Sequence, residues 1–507
     1  MIAGFCALAV AELVAAVVRP EAGPVAAVGG AVIDRTPPAL KDFAVRNFGT
    51  NDKLVLQLGI LTLLAVFAMA VGVLALRHRL LGSAAVLVFG VVGAVAAAGR
   101  PEGHVSDALP SAVGAVVAAG VLYLLAGLLA SPASGGTGGE RDHGAFDRRR
   151  FVIVASAAAA ASVGAGLLGR RLTSAVQAGA AASREDLVLP APDAVAPPVP
   201  AGADLRIRGL SSFVTPNKDF YRVDTALVVP RVDAGEWRLR IHGKGVKRPL
   251  TLSFQDLLRR EIVERDITLT CVSNEVGGPY VGNARWIGVR LADLLREAGV
   301  KPPSRGGPAD QIVARSVDGM TIGTPVEDVM DGRDALLALG MNGEPLPFDH
   351  GFPVRMVVPG LYGYVSACKW IKDIELTTFD DYDAYWVKRS WSRQAPIKTE
   401  SRIDTPRPFA SPRAGTVPVA GVAWAQHRGV QRVEVRVDGG PWHTARLAAE
   451  DSRDTWRQWM WEWPATSGSH TLEVRATDRT GATQTDQRVG TVPNGATGWH
   501  SVVVDVS

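Results

Sequence analysis

The chain has 507 residues, of which 47% are hydrophobic and 21% charged, and its formal net charge is +4. So small a charge over this length leaves no basic footprint for nucleic acid. The sequence also holds no Walker-type phosphate loop, no His-Glu-x-x-His zinc motif and no Gly-x-Ser-x-Gly nucleophile elbow, which argues against the enzyme classes that depend on them.

Hydrophobic residues concentrate at the front of the chain, up to about Leu172. A run of about 18 apolar residues is long enough to cross a bilayer as a helix. The sequence therefore predicts about five transmembrane helices, which correspond to the runs Ile2–Val18, Leu54–Leu76, Leu80–Ala98, Leu109–Ala130 and Phe151–Leu168.

Basic residues in the short loops predict how these helices are oriented. The strongest basic clusters are Arg77–Arg79 and residues 141–150, and both fall on one side if five helices alternate. That side is predicted to be cytoplasmic, which places the chain beyond the last helix outside the cytoplasm. The basic residues of the predicted loop Arg19–Lys53 oppose this orientation, although acidic residues accompany them.

Consecutive arginines precede the last apolar run, in DRRRFVIVASAAAAASVGAGLLG from Asp147 to Gly169. This stretch resembles a twin-arginine export signal, which serves proteins that fold around a cofactor before they cross the membrane. A plain cluster of positive charge at a helix end explains the same residues. Both explanations deliver the rest of the chain to the outer face.

The composition predicts where the chain divides. The stretch LVLPAPDAVAPPVPAGADL, from Leu187 to Leu205, is a Pro/Ala linker with few large apolar groups. Beyond about Arg402, short alternating stretches separated by turn signals predict an all-β sandwich. The predicted parts are a four-helix transmembrane region (1–131), a cytoplasmic loop (132–150), a fifth transmembrane helix with a twin-arginine-like start (151–172), a linker (173–205), a mixed α+β domain (206–395) and the sandwich (396–507).

The stretch TLTCVSNEVGG, from Thr268 to Gly278, places Cys271 where a predicted strand ends and a polar, glycine-rich loop begins. Loops at strand ends carry chemistry more often than strand interiors do. Of the two other cysteines, Cys6 lies in the first apolar run. Cys271 and Cys368 could pair in an oxidising compartment or remain buried thiols, and their spacing does not decide between these outcomes.

A second group of polar residues lies in MNGEPLPFDHGFPVRMVVPGLYGYVSACKW, from Met341 to Trp370. The pair Asn342-Gly343 predicts a hairpin turn. Further along, His350, Arg355 and Lys369 offer hydrogen-bond donors and positive charge to an anionic ligand.

From about Leu210 to Val504 the chain resembles the sulfite oxidase family of molybdopterin-dependent oxidoreductases, and particularly its membrane-fused bacterial members. The motifs that carry the resemblance are, in order, NKDFYRVDT, TLTCVSNEVGG, RWIGVRLADLL, MNGEPLPFDHGFPVRMVVPG and GYVSACKW. The resemblance implies a molybdopterin-binding catalytic domain at 206–395 and an immunoglobulin-like domain at 396–507, through which a homodimer could form.

The resemblance also assigns roles to individual residues. Cys271 matches the catalytic cysteine whose thiolate binds molybdenum, a soft ligand suited to a redox metal. Arg222 matches an arginine that contacts the anionic substrate of sulfite oxidases. The cofactor-binding residues that the resemblance implies are Asn274, His350, Arg355, Ser366 and Lys369.

One departure from the family pattern bears on the substrate. Sulfite oxidases commonly have arginines soon after the cysteine, whereas Asn274 is followed here by Glu275. The loss of positive charge weakens the match to sulfite. The predicted reaction is therefore oxygen-atom transfer on a small sulfur-containing or related substrate, either sulfite oxidation or sulfoxide reduction.

The predicted cofactor is molybdenum bound to molybdopterin. No haem is expected, because His78 and His104 fall at loop positions rather than within the predicted helices. Electrons are therefore expected to pass to a separate partner. Two other functions fit the sequence: a metal-independent thiol enzyme that uses Cys271 and His350, and a membrane-anchored protein that binds a partner through the sandwich.

Overall fold

The computed structural model describes residues 1–36, 40, 52–100, 103–130 and 148–507. Within this range the chain forms two compact units, one of residues 1–179 and 225–229, the other of residues 180–224 and 230–507. Residues 132–147 of the predicted cytoplasmic loop lie outside the described residues.

The described N-terminal part is helical, as its apolar composition predicts. Its α-helices are α1 (Ile2–Val18), α2 (Pro24–Arg35), α3 (Asp52–Arg77), α4 (Arg79–Ala98), α5 (Leu109–Ala130) and α6 (Arg148–Glu185). All five predicted apolar runs are helical. By length and composition, four of the described helices can cross a membrane, and α1 is a shorter apolar helix of 17 residues.

Two helical segments differ from the sequence prediction. Helix α2 lies within the stretch predicted to be a loop, and it begins with Pro24, a residue well suited to the first helical turn. Helix α6 continues past residue 172 to Glu185, so the first part of the predicted linker is helical. This extension is rich in alanine, and the first proline after it is Pro190.

Small residues allow α1, α4 and α5 to pack closely. A Cβ atom placed on Gly90 of α4 would lie 2.2 Å from the Cβ atom of Ala115 in α5, and one on Gly114 of α5 would lie 2.6 Å from the carbonyl oxygen of Ala7 in α1. Such contacts between small residues are typical of helices that associate inside a membrane.

The second unit begins with an α+β region that contains two sheets. One has the strand order β2–β1–β10–β5–β6, with β1 (Arg238–Gly243), β2 (Leu250–Ser253), β5 (Gln311–Ser316), β6 (Thr321–Pro325) and β10 (Ile371–Thr377). The other has the order β3–β4–β7–β8, with β9 also paired to β7; its strands are β3 (Ile262–Thr270), β4 (Val281–Arg290), β7 (Leu336–Met341), β8 (Glu344–Pro345) and β9 (Arg355–Val357).

Short helices connect these strands: α7 (Phe254–Leu258), α8 (Leu291–Glu297), α9 (Val326–Met330) and α10 (Gly363–Ser366). The turn between β7 and β8 confirms the hairpin turn predicted at Asn342-Gly343. In that turn Asn342 and Gly343 have φ angles of 54° and 84°, which suit asparagine and glycine. The turn leads the chain back toward His350.

The C-terminal part is a β-sandwich, as the alternating sequence predicts. One antiparallel sheet has the order β11–β12–β16–β15, and the other β14–β13–β17–β18. The strands are β11 (Glu400–Thr405), β12 (Gly415–Trp424), β13 (Val430–Val437), β14 (His443–Thr444), β15 (Arg446–Leu447), β16 (Arg457–Ala465), β17 (Gly468–Asp478) and β18 (His500–Val506). Trp459 and Trp463 are buried in the core that the two sheets share. The immunoglobulin-like identity of this sandwich stays a prediction.

The sandwich supports the strand that ends at Cys271. The backbone amide of Trp456 donates a hydrogen bond of 2.7 Å to the hydroxyl of Thr268 in β3, and the side-chain amide of Gln426 donates one of 3.1 Å to the carbonyl of the same residue. Arg402 of β11 donates to the carbonyl of Gly278 at 2.7 Å. The end of β3 is therefore fixed by both parts of this unit.

Candidate active site

Cys271 begins a closed, hydrogen-bonded loop. Its amide donates to the carbonyl of Tyr280 at 2.9 Å, and the amide of Asn274 donates to the carbonyl of Cys271 at 3.0 Å. The side-chain oxygen of Asn274 accepts from the amide of Tyr280 at 2.8 Å. The loop thus holds Cys271 in place, with only 8% of the residue exposed.

The thiol of Cys271 is free, as are those of Cys6 and Cys368, so no disulfide joins Cys271 to Cys368. Burial raises the pKa of Cys271, whereas hydrogen bonds with Ser273 and the charge of Lys369 lower it. Because burial dominates, a thiolate at this position needs an additional positive charge beside it. Metal coordination supplies such a charge.

Arg355 is a buried cation, with 6% of the residue exposed. One of its terminal nitrogens donates to the carbonyl of His350 at 3.1 Å, and its guanidinium carbon lies 5.0 Å from the ring centroid of Trp286. Burial lowers the pKa of Arg355 to about 10, so the side chain remains charged at neutral pH. Its Nε atom is buried and makes no hydrogen bond within the part of the chain that the structure describes.

His350 is held as a neutral imidazole. Its Nε2 atom lies 3.0 Å from the carbonyl oxygen of Asn217, and because a carbonyl only accepts, Nε2 must carry the hydrogen. Burial and the charge of Arg355 lower the pKa of His350 to about 4. The raised pKa of the thiol and the lowered pKa of the imidazole both oppose proton transfer from Cys271 to His350, the step that thiol catalysis would require.

Arg222 and Lys369 meet at one carboxylate. The Oδ2 atom of Asp224 lies 3.0 Å from Nε of Arg222 and 2.5 Å from Nζ of Lys369. Burial lowers the pKa of Lys369 to about 8, although Asp224 opposes this change. Nη1 of Arg222 also lies 2.9 Å from Oδ1 of Asp349, the residue before His350.

Ser366 lies in α10, and the contacts of its hydroxyl are local. Its Oγ lies 2.9 Å from the carbonyl of Leu361 and 3.1 Å from that of Tyr362, and the residue is fully buried. Helix α10 nevertheless runs beside the end of β3. A Cβ atom on Gly363 would lie 3.8 Å from the carbonyl of Thr270 and 4.0 Å from the hydroxyl of Tyr221.

The structure connects two pairs of the predicted site residues: Arg355 donates a hydrogen bond to the carbonyl of His350, and Arg222 and Lys369 both contact the carboxylate of Asp224. Asn274 belongs to the Cys271 loop. Sequence reasoning missed Tyr221, whose pKa is raised by burial and by the charge of Cys271. It also missed Asp224. Tyr221 and Asp224 flank Arg222 in the motif FYRVDT, so the signal was present within a stretch already singled out.

Several features of this region fit a molybdenum-pterin cofactor. The free thiol of Cys271 can serve as one metal ligand. Among the described residues, no group of three or more His, Cys, Asp or Glu side chains could hold a metal ion. Buried Nδ2 of Asn274 and Nε of Arg355 make no hydrogen bond within the described chain, and both are donors suited to an oxygen-rich anionic group.

Comparisons with known proteins agree with this assignment. The family model described as "Oxidoreductase molybdopterin binding domain" matches residues 226–386. The mitochondrial sulfite oxidase of Homo sapiens is 31% identical over 307 residues, which cover 52% of this chain and 55% of that enzyme. The uncharacterized oxidoreductase YuiH of Bacillus subtilis is 33% identical over 159 residues, which cover 31% of this chain and 74% of that protein.

Among solved structures, the sulfane dehydrogenase SoxCD from Paracoccus pantotrophus is similar, with a TM-score of 0.50 and 25% identity over 58% of this chain and 83% of that one. The chain belongs to the sulfite oxidase family of molybdopterin-dependent oxidoreductases. The matching part spans 55% of the length of the human relative.

Proposed function

We propose that this protein is a membrane-anchored, extracytoplasmic molybdenum-dependent oxidoreductase that transfers an oxygen atom to or from a small substrate. The observation that carries the proposal is the buried free thiol of Cys271, close enough to Lys369 for that charge to lower its pKa, in a region that matches the molybdopterin-binding family. Sulfite oxidation and sulfoxide reduction are the two reaction types that the proposal includes.

Each site residue has a distinct proposed role. When bound, the cofactor supplies two-electron redox chemistry and accepts or donates the transferred oxygen. Cys271 would ligate the metal, and Asn274 would shape the pocket around it. Arg355, with His350 neutral beside it, would bind the anionic part of the pterin, together with Lys369 and the α10 segment that contains Ser366. Arg222 would orient the substrate, and the electrons would pass to a separate partner.

The arrangement of charges along the helices supports the proposed location. Arg77 and Arg79 occupy the junction between α3 and α4, and α6 begins at Arg148. Alternating transmembrane helices place both basic clusters on one side, which the distribution of Lys and Arg in membrane proteins favours as cytoplasmic. The end of α6, and the second unit that follows it, would then lie on the opposite side.

Elemental analysis of the purified full-length chain tests the function most directly. We expect stoichiometric molybdenum and pterin in the wild type, and loss of molybdenum in Cys271→Ser, because a serine hydroxyl is a poor ligand for this metal. Cys6→Ser is the matched control, since Cys6 lies in α1 and contacts the hydroxyl of Ser162. Wild-type protein that is folded and free of molybdenum would refute the proposal.

A further inference from the structure

Oxygen-atom transfer moves protons as well as electrons. When a substrate is oxidised, its new oxygen comes from water, which gives up two protons, and two electrons pass to two molecules of a one-electron acceptor. Reduction of a substrate reverses each of these changes. Because Cys271 is only 8% exposed, protons need a route between this buried site and water, made of groups that both donate and accept hydrogen bonds.

A cavity of about 350 Å³ lies at the start of β11 in the second unit. Its lining includes Glu400, which is 3% exposed and whose Oε1 atom makes no hydrogen bond within the part of the chain that the structure describes. Four other lining residues are exposed, so the cavity is open to water: Thr480, Ala482, Thr483 and Thr485. Water in the cavity can therefore hydrogen-bond to the carboxyl of Glu400.

The charged groups that line the cavity leave this carboxyl able to exchange a proton. Burial raises the pKa of Glu400 to about 8, although the charge of Lys398 opposes this change. Arg428 and Asp478 pair with each other at 2.8 Å. The Nζ atom of Lys398 donates to the side chain of Asn494 at 3.0 Å. Near neutral pH the carboxyl can therefore take up a proton and release it again.

Tyr362 is a buried phenol near both Glu400 and Cys271. Burial raises the pKa of its hydroxyl well above the ordinary value, and the charges of Glu400 and Cys271 raise it further. The hydroxyl lies 3.5 Å from the amide nitrogen of Lys398, two residues before Glu400. A Cβ atom on Gly495 would lie 2.6 Å from the hydroxyl oxygen, so glycine leaves the space that the phenol occupies. A neutral phenol can accept one proton while it donates another.

The backbone of Tyr362 lies between the segment that leads into β11 and the end of β3. The amide of Tyr362 donates to the carbonyl of Ala395 at 2.9 Å. Helix α10 follows Tyr362, and a Cβ atom on Gly363 in this helix would lie 3.8 Å from the carbonyl oxygen of Thr270. Thr270 directly precedes Cys271, so Tyr362 is held beside both ends of a route from the cavity to the site.

We propose that Glu400 and Tyr362 carry protons between the water of this cavity and the buried site of Cys271. This inference rests on the proposed function. During substrate oxidation, the phenol of Tyr362 accepts a proton from the site and releases its own toward the carboxyl of Glu400, directly or through one water, and Glu400 passes a proton to the cavity. During substrate reduction, the protons move in the opposite direction. Each turnover moves two protons, one for each electron.

The kinetic test compares full-length wild type, Glu400→Gln and Tyr362→Phe at equal molybdenum content. The assays are sulfite oxidation with ferricyanide and reduction of an aryl methyl sulfoxide with reduced viologen. We expect kcat to fall by about tenfold to a hundredfold in both variants with little change in KM, because positioned proton-transfer groups contribute at least this much. The solvent deuterium isotope effect on kcat should increase, since proton transfer then limits the rate. Glu462→Gln, an exposed position in β16, is the matched control and should leave kcat unchanged.

A small acid added to the solution distinguishes proton transfer from a structural role. Glu400→Ala enlarges a cavity that is already open to water, so formate or acetate should restore part of the lost kcat in this variant. The same acids should not raise kcat in the wild type or in Tyr362→Phe, in which the carboxyl of Glu400 is present. Glu400→Asp keeps a carboxyl and should retain more activity than Glu400→Gln.

Infrared spectroscopy provides a readout that depends neither on turnover nor on bound molybdenum. The difference spectrum between wild type and Glu400→Gln at neutral pH should show the carbonyl band of a protonated carboxyl, and this band should shift in heavy water. Tyr362→Phe should shift the band as well, because it removes the hydroxyl to which the carboxyl is connected.

The inference and the proposed function fail in different ways. Molybdenum-containing Glu400→Gln with the kcat and isotope effect of the wild type, or a carboxyl band that is the same in Tyr362→Phe as in the wild type, would overturn the inference and leave the oxidoreductase assignment intact. A loss of turnover in Glu400→Ala that neither formate nor acetate reverses would also overturn it. Folded wild-type protein without molybdenum would overturn the proposed function itself.

Discussion

Glu400 is a buried acidic side chain in the sandwich. It begins β11 and is 3% exposed, and its Oε1 makes no hydrogen bond within the described part of the chain. It lines a cavity of about 350 Å³ together with Arg428 and Asp478, which are paired with each other at 2.8 Å. Burial raises the pKa of Glu400 to about 8, although Lys398 opposes this change. At neutral pH the carboxyl therefore tends to keep its proton.

This pKa predicts how stability depends on pH. In the unfolded chain Glu400 loses its proton near its ordinary pKa of 4.5, whereas in the folded chain it does so near 8. Stability is therefore lost as the pH rises from about 4.5 to about 8, by about 1.4 kcal/mol for each unit of pKa difference. Glu400→Gln should remove this loss, so its melting temperature should exceed that of the wild type increasingly between pH 5 and pH 8.

The control for this measurement is Glu462→Gln, which changes an exposed glutamate in β16 of the same sandwich. Its melting temperature should follow that of the wild type at every pH. If the melting temperature of Glu400→Gln also stays parallel to that of the wild type from pH 5 to pH 8, the carboxyl of Glu400 is ionised in the folded protein and its pKa is not raised.

Single residues also show what the sequence alone could predict about the site. Cys271 was recognisable because a strand pattern ends there in a glycine-rich loop, and Arg355 and Lys369 because they stand in a recognisable motif. The pairing of Asp224 with Lys369 was not predictable, since 145 residues separate them and only the folded chain brings their side chains together. Contacts between residues so far apart in the chain become visible only in the folded structure.

Residues of the sandwich contact the loop Cys271–Tyr280 directly. Gly277 has a φ angle of 80°, which residues with a side chain rarely adopt. A Cβ atom at this position would lie 2.1 Å from Cδ2 of His500. That imidazole is itself fixed, because its Nδ1 accepts a hydrogen bond of 3.0 Å from the amide of Ile403. Glycine is therefore required both by the backbone and by the close approach of β18.

We predict that Gly277→Ala weakens the site through this contact. The strained backbone should cost about 1–3 kcal/mol, and the clash with His500 should move the loop that contains Cys271. The expected results are a lower melting temperature and reduced molybdenum content. Gly306→Ala is the control, because Gly306 has a similar φ angle of 74° but nothing within 4 Å of a Cβ atom.

A second substitution separates the clash from the backbone strain. In the double variant Gly277→Ala/His500→Ala the steric contact is gone while the strain remains, so molybdenum content should recover relative to Gly277→Ala. Equal loss of metal in Gly277→Ala and Gly306→Ala would show that the contact with His500 plays no part.

Elements were predicted best where one physical signal dominates. Long apolar runs predicted helices α1 and α3 to α6, and alternating apolar and polar residues predicted the sandwich, because a long apolar helix and a two-sheet core each require a simple sequence pattern. Helix α2 was missed because it is short and contains Gly29 and Gly30, which are poor helix formers. The order of the strands could not be predicted from the sequence, because β1 and β10 pair in parallel although they are far apart in the chain.

For the whole molecule, α6 has the most direct bearing on location. Its 38 residues make it about 57 Å long at the usual rise of 1.5 Å per residue, well beyond the roughly 30 Å of a bilayer core. The stretch Phe151–Gly169 is apolar, and Arg170 and Arg171 follow it. We therefore expect the membrane to cover the first half of α6, and the second half to extend into water.

The location can be tested in spheroplasts of a bacterial host that expresses the full-length chain. We expect the protein to stay with the membrane during carbonate washing, because α3, α4, α5 and α6 are long and apolar enough to cross it. A protease added to intact spheroplasts should digest the second unit. The basic residues Arg77, Arg79 and Arg148 favour the cytoplasm for the helix ends that carry them, so the second unit, which follows the other end of α6, is expected outside. A cytoplasmic marker protein should remain intact in the same sample. Digestion that occurs only in inverted vesicles would place the site of Cys271 in the cytoplasm, and electrons would then have to be exchanged with cytoplasmic carriers.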